Sequence, residues 1–465
     1  MGQRRGMSNR AMQLMSPLDS VFLMAETREH PMHVGGLMLF EPPADAGPQF
    51  AGELYRSLVC AEQTLRPEFR KNPATLLGGI ISGAWDSEDD VDLEYHVRRS
   101  ALPAPGRVRE LLELTSRLHG SLLDRHRPLW EVHVVEGLDD GRFAVYVKIH
   151  HALIDGVSLL RLVGRTLSND PADPQVRSPW SLPLASRQRT GEPSARWREL
   201  AGVVKGAASI VGSTAKLARA TLIEQQLTLP FEAPRTMFNV KIGGARRCAS
   251  QSWPVDRMIA IKRAAGVTVN DVVLAMSSGA LRAYLTEHQA LPEHPLVAMV
   301  PVSLRTEAEA DSGGNMVGAI LCNLATDEPD PARRLETISD SMRRNKKVFS
   351  ELPRAQVLAL SAANMAPLML AAIPGFVSAS RPPFNIVISN VPGPAEPMYW
   401  GGARLDGNYP LSIALDGQAL NITVASNAGN LDFGLVGCRR SVPHLQRLLG
   451  HLDTALTDLE HAVGL

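Results

Sequence analysis

The chain has 465 residues, and its 48 Lys+Arg are matched by 48 Asp+Glu, so it carries no formal net charge. That balance excludes a protein built to grip nucleic acid, which needs a basic excess to neutralise phosphates. With 45% apolar and 21% charged residues the composition is that of a globular protein, not a disordered or collagen-like one.

A single hydrophobic core stops growing at roughly 250–300 residues, so at least two domains are required. Cys60, Cys248, Cys322 and Cys438 are far apart and form no CxxC or Cys/His cluster, which points away from a metal site and from a disulfide framework. The first residues carry Arg4, Arg5 and Arg10 with no apolar segment behind them, so a signal peptide is not expected and a cytoplasmic location is. Gly2 does not begin a myristoylation motif, because position 6 is Gly6.

In chain order, residues 1–180 are expected to form an N-terminal domain. Its clearest element is a hairpin: Trp130 to Glu136 and Arg142 to Ile149 are rich in β-branched and aromatic residues, and the intervening Gly137 to Gly141 has turn chemistry. His150-His151-Ala-Leu-Ile-Asp155-Gly156 follows directly. Val157 to Val163 then reads as a helix, with Asp155 where a helix N-terminus favours an acid.

Residues 181–235 have the composition of a connector. Within it, Ala195 to Leu222 lacks proline and is basic; it reads either as an amphipathic interfacial helix or as a surface helix packed on its own protein.

The second domain is expected over 236–465. Thr268 to Ala275 leads into a helix through Tyr284, with Asn270 or Asp271 as its cap, and Pro295 to Leu304 reads as a buried strand followed by Arg305. Further strands are expected at Phe384 to Ser389, Ala419 to Ala425 and Asn430 to Val436. Residues 355–380 carry no charged side chain. Ser361, Asn364, Pro367, Pro374 and Gly375 interrupt the run, which fits a transmembrane helix less well than a buried helical pair or a lipid-touching surface.

Successive strand residues face opposite ways, so His150 and His151 cannot both enter one cleft while the strand persists; one is expected to be catalytic and the other structural. Imidazole, with a reference pKa near 6.5, suits proton removal from a hydroxyl at neutral pH. Asp155, if buried, needs a cation, and Arg305, directly after an apolar strand, is the candidate. There is no GxSxG elbow, phosphate loop, GxGxxG turn or HExxH helix. A base without an evident protein nucleophile fits direct transfer, with a bound substrate hydroxyl as the nucleophile.

Taken together, these segments resemble the bacterial wax ester synthase/diacylglycerol acyltransferase family, within the coenzyme A-dependent acyltransferases marked by HHxxxDG. The resemblance spans nearly the whole chain and rests on Ser16 to Leu23, Met32 to Gly36, Arg127 to Trp130, His150 to Gly156, Asn270 to Ala275, Pro301 to Arg305, Gly314-Asn315 and Ser389 to Pro394. It implies an α/β (α+β) fold of two similar chloramphenicol-acetyltransferase-like domains with mixed sheets, joined by a connector, with an active-site tunnel where they meet.

By the same resemblance, His151 is the general base and His150 supports it. Asp155 is structural and paired with Arg305, and Gly156 lets the backbone pack closely at the turn. Asn270, Asp271, Ser389, Asn390, Pro392 and Gly393 lie near the substrates. No bound cofactor or metal is implied; acyl-CoA is the co-substrate and a diacylglycerol or long-chain alcohol the acceptor. Two lipid-tailed substrates imply peripheral contact with the inner face of a membrane or with a lipid droplet. Where the family often carries an aromatic this chain has Asn427, which bears on acyl-chain preference if that position shapes the tunnel. Three other readings are acylation of a polyketide or glycolipid alcohol, use of a carrier-bound acyl group, and lipid binding without turnover.

Overall fold

The computed structural model describes residues 13–60, 65–75, 81–182, 231–303, 317–352 and 381–465, together with Thr228, Val357, Leu360, Ser361 and Asn364. Arg4 to Arg10, the 195–222 stretch, Arg305, Gly314-Asn315 and nearly all of 355–380 lie outside the described residues.

In chain order the first part runs β1 (Gln13–Leu14), α1 (Pro17–Ala25), β2 (His33–Glu41), α2 (Phe50–Cys60), β3 (Lys71–Thr75), β4 (Ile81–Ser87), α3 (Leu93–His96), β5 (Val97–Ala101), α4 (Val108–His119), β6 (Trp130–Glu136), β7 (Phe143–His150) and α5 (Gly156–Gly164). The second runs β8 (Arg246–Pro254), α6 (Val255–Ala265), α7 (Val269–Glu287), β9 (Val297–Ser303), β10 (Val317–Asn323), α8 (Pro331–Glu351), β11 (Ile386–Val391), β12 (Tyr399–Trp400), β13 (Ala403–Leu411), β14 (Leu420–Asn427), β15 (Asn430–Cys438) and α9 (Arg447–Ala462).

The elements make two six-stranded sheets, ordered β12-β13-β2-β7-β6-β5 and β10-β9-β11-β14-β15-β8, and a small sheet β1-β4-β3. Both large sheets are mixed: β5 runs parallel to β6 in the first, and β11 runs parallel to β9 and β14 in the second. The α/β architecture with two mixed sheets is the one expected. What the residue pattern did not disclose is that β12 and β13 belong to the first sheet, so 399–411 cross back onto the strands of the first 180 residues. The cause is edge pairing. β2 would otherwise expose a row of backbone groups, and β13 covers it from Gly35 to Glu41.

Period two sorts the first sheet into two faces. Val145, Val147 and Ile149 of β7 join Val34, Met38, Phe40, Val132 and Val134 in one core, covered by Leu54 and Leu58 of α2 and Leu159, Leu162 and Val163 of α5. Ala144 and Tyr146 point the other way, into a larger core continuous with the second sheet and with α7 and α9. Among the described residues no single helix is long and apolar enough to cross a membrane; α6 and α7 together are apolar but bent by 104°, and most of α7 is core.

The sheets meet along β13. A Cβ at Gly434 of β15 would lie 1.9 Å from the Pro410 carbonyl oxygen, so the two backbones touch there and only glycine fits. Beside this contact Asp432 is fully buried; its Oδ2 accepts the Asn408 N–H (2.6 Å) and the Asn427 side-chain amide (3.0 Å). Asn427 is therefore spent on joining strands, and no described contact places it on a substrate path. Burial pushes the Asp432 carboxyl from 3.8 up to about 6.

This raised value has a sign for stability. Between those two values the folded chain holds a proton that the unfolded chain releases, so the Asp432 contribution is present at low pH and is lost as pH rises through about 6. Chemical denaturation from pH 4 to 7 should show wild type losing about 3 kcal/mol relative to Asp432→Asn over that window. Parallel pH profiles for the two proteins would contradict it.

Candidate active site

α1 begins at a capping box: Ser16 Oγ accepts the Asp19 N–H (3.1 Å) and the Asp19 carboxylate accepts the Ser16 N–H (3.3 Å), with Pro17 at the first helical position. This is the Pro-Leu-Asp segment acting as a helix start. The helix ends at Glu26, whose N–H donates to the Phe22 carbonyl (3.1 Å).

The Glu26 carboxylate lies at the centre of a buried cluster. Its Oε1 accepts the Met32 N–H (3.1 Å) and stands 3.4 Å from His150 Nε2, with both side chains fully excluded from solvent. Its Oε2 accepts from Arg125 Nε (3.0 Å), while Arg125 Nη2 donates to the Leu23 carbonyl (2.9 Å). Burial alone would raise this carboxyl; His150, the Met32 N–H and Arg125 outweigh it and hold it below the usual carboxylate value.

His150 closes β7, opposite His33 of β2. Its Nδ1 accepts the Ala152 N–H (3.0 Å), so the ring proton belongs on Nε2, the nitrogen that faces Glu26. One residue on, the chain has left the strand. The His151 N–H donates to the Met32 carbonyl (2.8 Å), and its half-buried ring stacks on Phe22 with centroids 4.2 Å apart and planes inclined by 24°. His150 is buried and His151 half-buried, and because the strand ends at His150 it is the turn and Phe22, not strand alternation, that set the His151 ring.

Asp155 caps α5: Oδ1 accepts the Ser158 N–H (2.8 Å) and Oδ2 the Ser158 hydroxyl (3.1 Å). Its expected partner Arg305 lies outside the described residues. Among the described residues a Cβ at Gly156 would meet nothing within 4 Å, so the close packing expected at this glycine is not found among them.

The second half reaches this turn through α5. Val157 and Leu160 pack with Val391 and Ala425 at the ends of β11 and β14. This brings in Ser389 and Asn390, both half-buried, and the exposed Pro392. The Gly393 N–H donates to Ser426 Oγ (2.7 Å), and a Cβ at Gly393 would lie 2.0 Å from the Ser426 carbonyl oxygen, so glycine is obligatory.

Asn270 and Asp271 behave differently from expectation. The cap of α7 is Thr268, and Asp271 closes its capping box, accepting the Thr268 N–H (2.9 Å) and, at 3.4 Å, the Ser339 hydroxyl of α8. Among the described residues no hydrogen bond or ion pair links Asn270 or Asp271 to the His150–Gly156 turn.

Behind the histidines the inward face of the first sheet is polar and buried. Lys148 Nζ pairs with Glu131 (3.2 Å) and donates to the Leu118 and Ser121 carbonyls (3.2 and 3.1 Å). Burial and the neighbouring His119 and Lys148 hold His33 well below the ordinary histidine value, hence neutral at pH 7. Pattern reading missed Glu26, Arg125, Phe22 and Lys148. An apolar helix ending in an acid shortly before Pro31-Met32-His33 was the available signal for Glu26. Arg127, by contrast, stacks over Tyr95 at 3.9 Å, and Trp130 donates to the Phe69 carbonyl (2.9 Å), so the Arg-Pro-Leu-Trp segment is packing.

Comparison with known proteins finds relatives along nearly the whole chain. Residues 15–273 match the profile described as the wax ester synthase/diacylglycerol acyltransferase catalytic domain, and 313–460 match its C-terminal domain. The chain is 68% identical over 457 residues to a probable diacylglycerol O-acyltransferase of Mycobacterium tuberculosis, covering 98% of this chain and 100% of that one. It is 40% identical to an O-acyltransferase of Acinetobacter baylyi, over 97% of this chain and 98% of the other. Its fold superposes on a wax ester synthase/diacylglycerol acyltransferase from Marinobacter aquaeolei with a TM-score of 0.78 and 39% identity, covering 97% and 100% of the two chains.

Since no described atom lies within 4 Å of a Cβ at Gly156, alanine is expected to fit there. Gly156→Ala should leave the thermal midpoint unchanged or raise it by about 1–4 °C, because glycine costs about 0.5–1 kcal/mol relative to alanine in a helix. A fall of several degrees would mean that the backbone does require glycine there.

Proposed function

The chain belongs to the wax ester synthase/diacylglycerol acyltransferase family, and on that premise we propose that it makes triacylglycerol, transferring a long-chain acyl group from acyl-CoA to the free hydroxyl of a diacylglycerol. It is an O-acyltransferase that uses acyl-CoA and a hydroxyl acceptor. The observation that supports the assignment most directly is the placement of the His150–Gly156 turn, clamped between α1 and the ends of β11 and β14.

His151 is the general base. Its ring leaves the buried cluster, lies flat on Phe22 and is half-buried, so one nitrogen can meet an acceptor hydroxyl while apolar surface restricts water. It takes the hydroxyl proton as the oxygen attacks the thioester carbonyl. The tetrahedral adduct collapses, the carbon–sulfur bond breaks, and the proton passes from the imidazolium to the leaving CoA sulfur. His150 supports the turn from behind, and Asp155 holds the start of α5 through Ser158. Ser389, Asn390, Pro392 and Gly393 supply the opposite wall.

A long-chain alcohol is a second acceptor, as the family description and the name of the Marinobacter relative suggest. Lipid-tailed substrates call for contact with a membrane or droplet surface, and Met24 (76%) of α1 and Leu14 (56%) are exposed apolar side chains in the N-terminal segment.

Purified protein given radiolabelled palmitoyl-CoA with diolein or with hexadecanol should yield triacylglycerol or wax ester. His151→Ala should lower turnover by about 10²–10⁴-fold while leaving thermal unfolding in place. Lipid binding with no product would leave a binding protein instead, and parallel loss of fold and activity would make His151 structural.

A further inference from the structure

We infer that Glu26 is a positioning residue for the acyl transfer, orienting His151 from both sides through His150 and Met32. The inference rests on His151 as the base and names a residue outside the HHxxxDG segment.

Two routes run from one carboxylate oxygen. Along the first, Glu26 Oε1 faces His150 Nε2 at 3.4 Å, and His150 Nδ1 accepts the Ala152 N–H at 3.0 Å. A negative charge beside Nε2 favours the tautomer that carries its proton there, and only that neutral tautomer leaves Nδ1 free to accept. Along the second, Oε1 accepts the Met32 N–H at 3.1 Å, and the Met32 carbonyl accepts the His151 N–H at 2.8 Å. The two peptide groups that flank the His151 Cα are therefore both tied to Glu26.

The side chain is fixed from the same place. Glu26 ends α1, and its own N–H holds the carbonyl of Phe22, the residue whose ring lies against His151. Arg125 binds the other carboxylate oxygen and two carbonyls at the helix end, so the charge stays ionised and in register. A purely structural pair would need only Glu26 and Arg125. Here Oε1 is committed instead to the Met32 N–H and the His150 ring, the groups that in turn hold the peptides on each side of His151.

The test uses the full chain and steady-state kinetics with palmitoyl-CoA and diolein, alongside thermal unfolding, for Glu26→Gln, His150→Gln and the double variant. Glu26→Gln should lower kcat by about 10²-fold, the effect of a roughly 1 Å misplacement, with each KM within about threefold of wild type. The double variant should be no slower than the slower single, since both act on one element. A kcat within about twofold of wild type, a loss that merely follows the folded fraction, or independent multiplying effects would overturn the inference.

If Glu26→Gln does not fold, His150→Gln decides, because it keeps the Glu26–Arg125 pair: reduced kcat at constant KM supports positioning, and wild-type kcat overturns it. The base assignment fails separately. Full turnover by His151→Ala would remove the reading on which the inference rests, whereas an inactive His151→Ala with an unaffected Glu26→Gln removes the positioning role alone.

Discussion

A carboxylate buried without solvent must be answered by donors, and in this protein the answer to Glu26 organises everything around the two histidines. Arg125 and the Met32 N–H donate to it, and the His150 ring stands 3.4 Å away, so three parts of the chain converge on it. Removing one partner of such a pair costs roughly 3–5 kcal/mol, because the charge left behind has no water to turn to. The end of α1, the start of β2, the loop before β6 and the end of β7 therefore cannot move independently. That constraint brings Phe22 against His151 and sets the turn that leads to Asp155 and α5.

The second constraint is the contact between the sheets. β13 pairs with β2 in the first sheet and packs its backbone against Gly434 of the second, while within the second half Gly393 packs against Ser426 and fixes the end of β11 on β14. Both contacts admit only glycine. Between them, Val391 and Ala425 reach Val157 and Leu160 of α5. The half that carries the HHxxxDG turn and the half that faces it are thus joined by close backbone approach, by apolar packing and by ion pairs such as His30–Asp416 and Arg142–Asp406. A polar cluster around Asp432 lies behind this junction, where Asn427 is consumed in holding strands together.

Much of the local structure was legible. The hairpin of β6 and β7 announced itself through alternation and turn glycines, and α5 through its acidic cap and apolar spacing, because those signals lie within a few residues of one another. The segment around Asn270 was legible only in part. Thr268 caps the helix and Asp271 is drawn back to it, which is a local alternative that residue types alone do not separate. At Gly156 the crowding expected from the sequence has no counterpart among the described residues.

By itself, the sequence determined the class of protein: two domains, mixed α/β elements, and a family whose segments occur here in order with the HHxxxDG histidines among them. Short-range periodicity and residue chemistry suffice for that. Only the tertiary structure decided which groups serve those histidines. Glu26 and Arg125 are separated by 99 residues, and β13 crosses from the second half to complete the first sheet. Such partners are chosen by the desolvation of a buried charge and by the need to cover a sheet edge, forces that act between surfaces and leave no period in the chain.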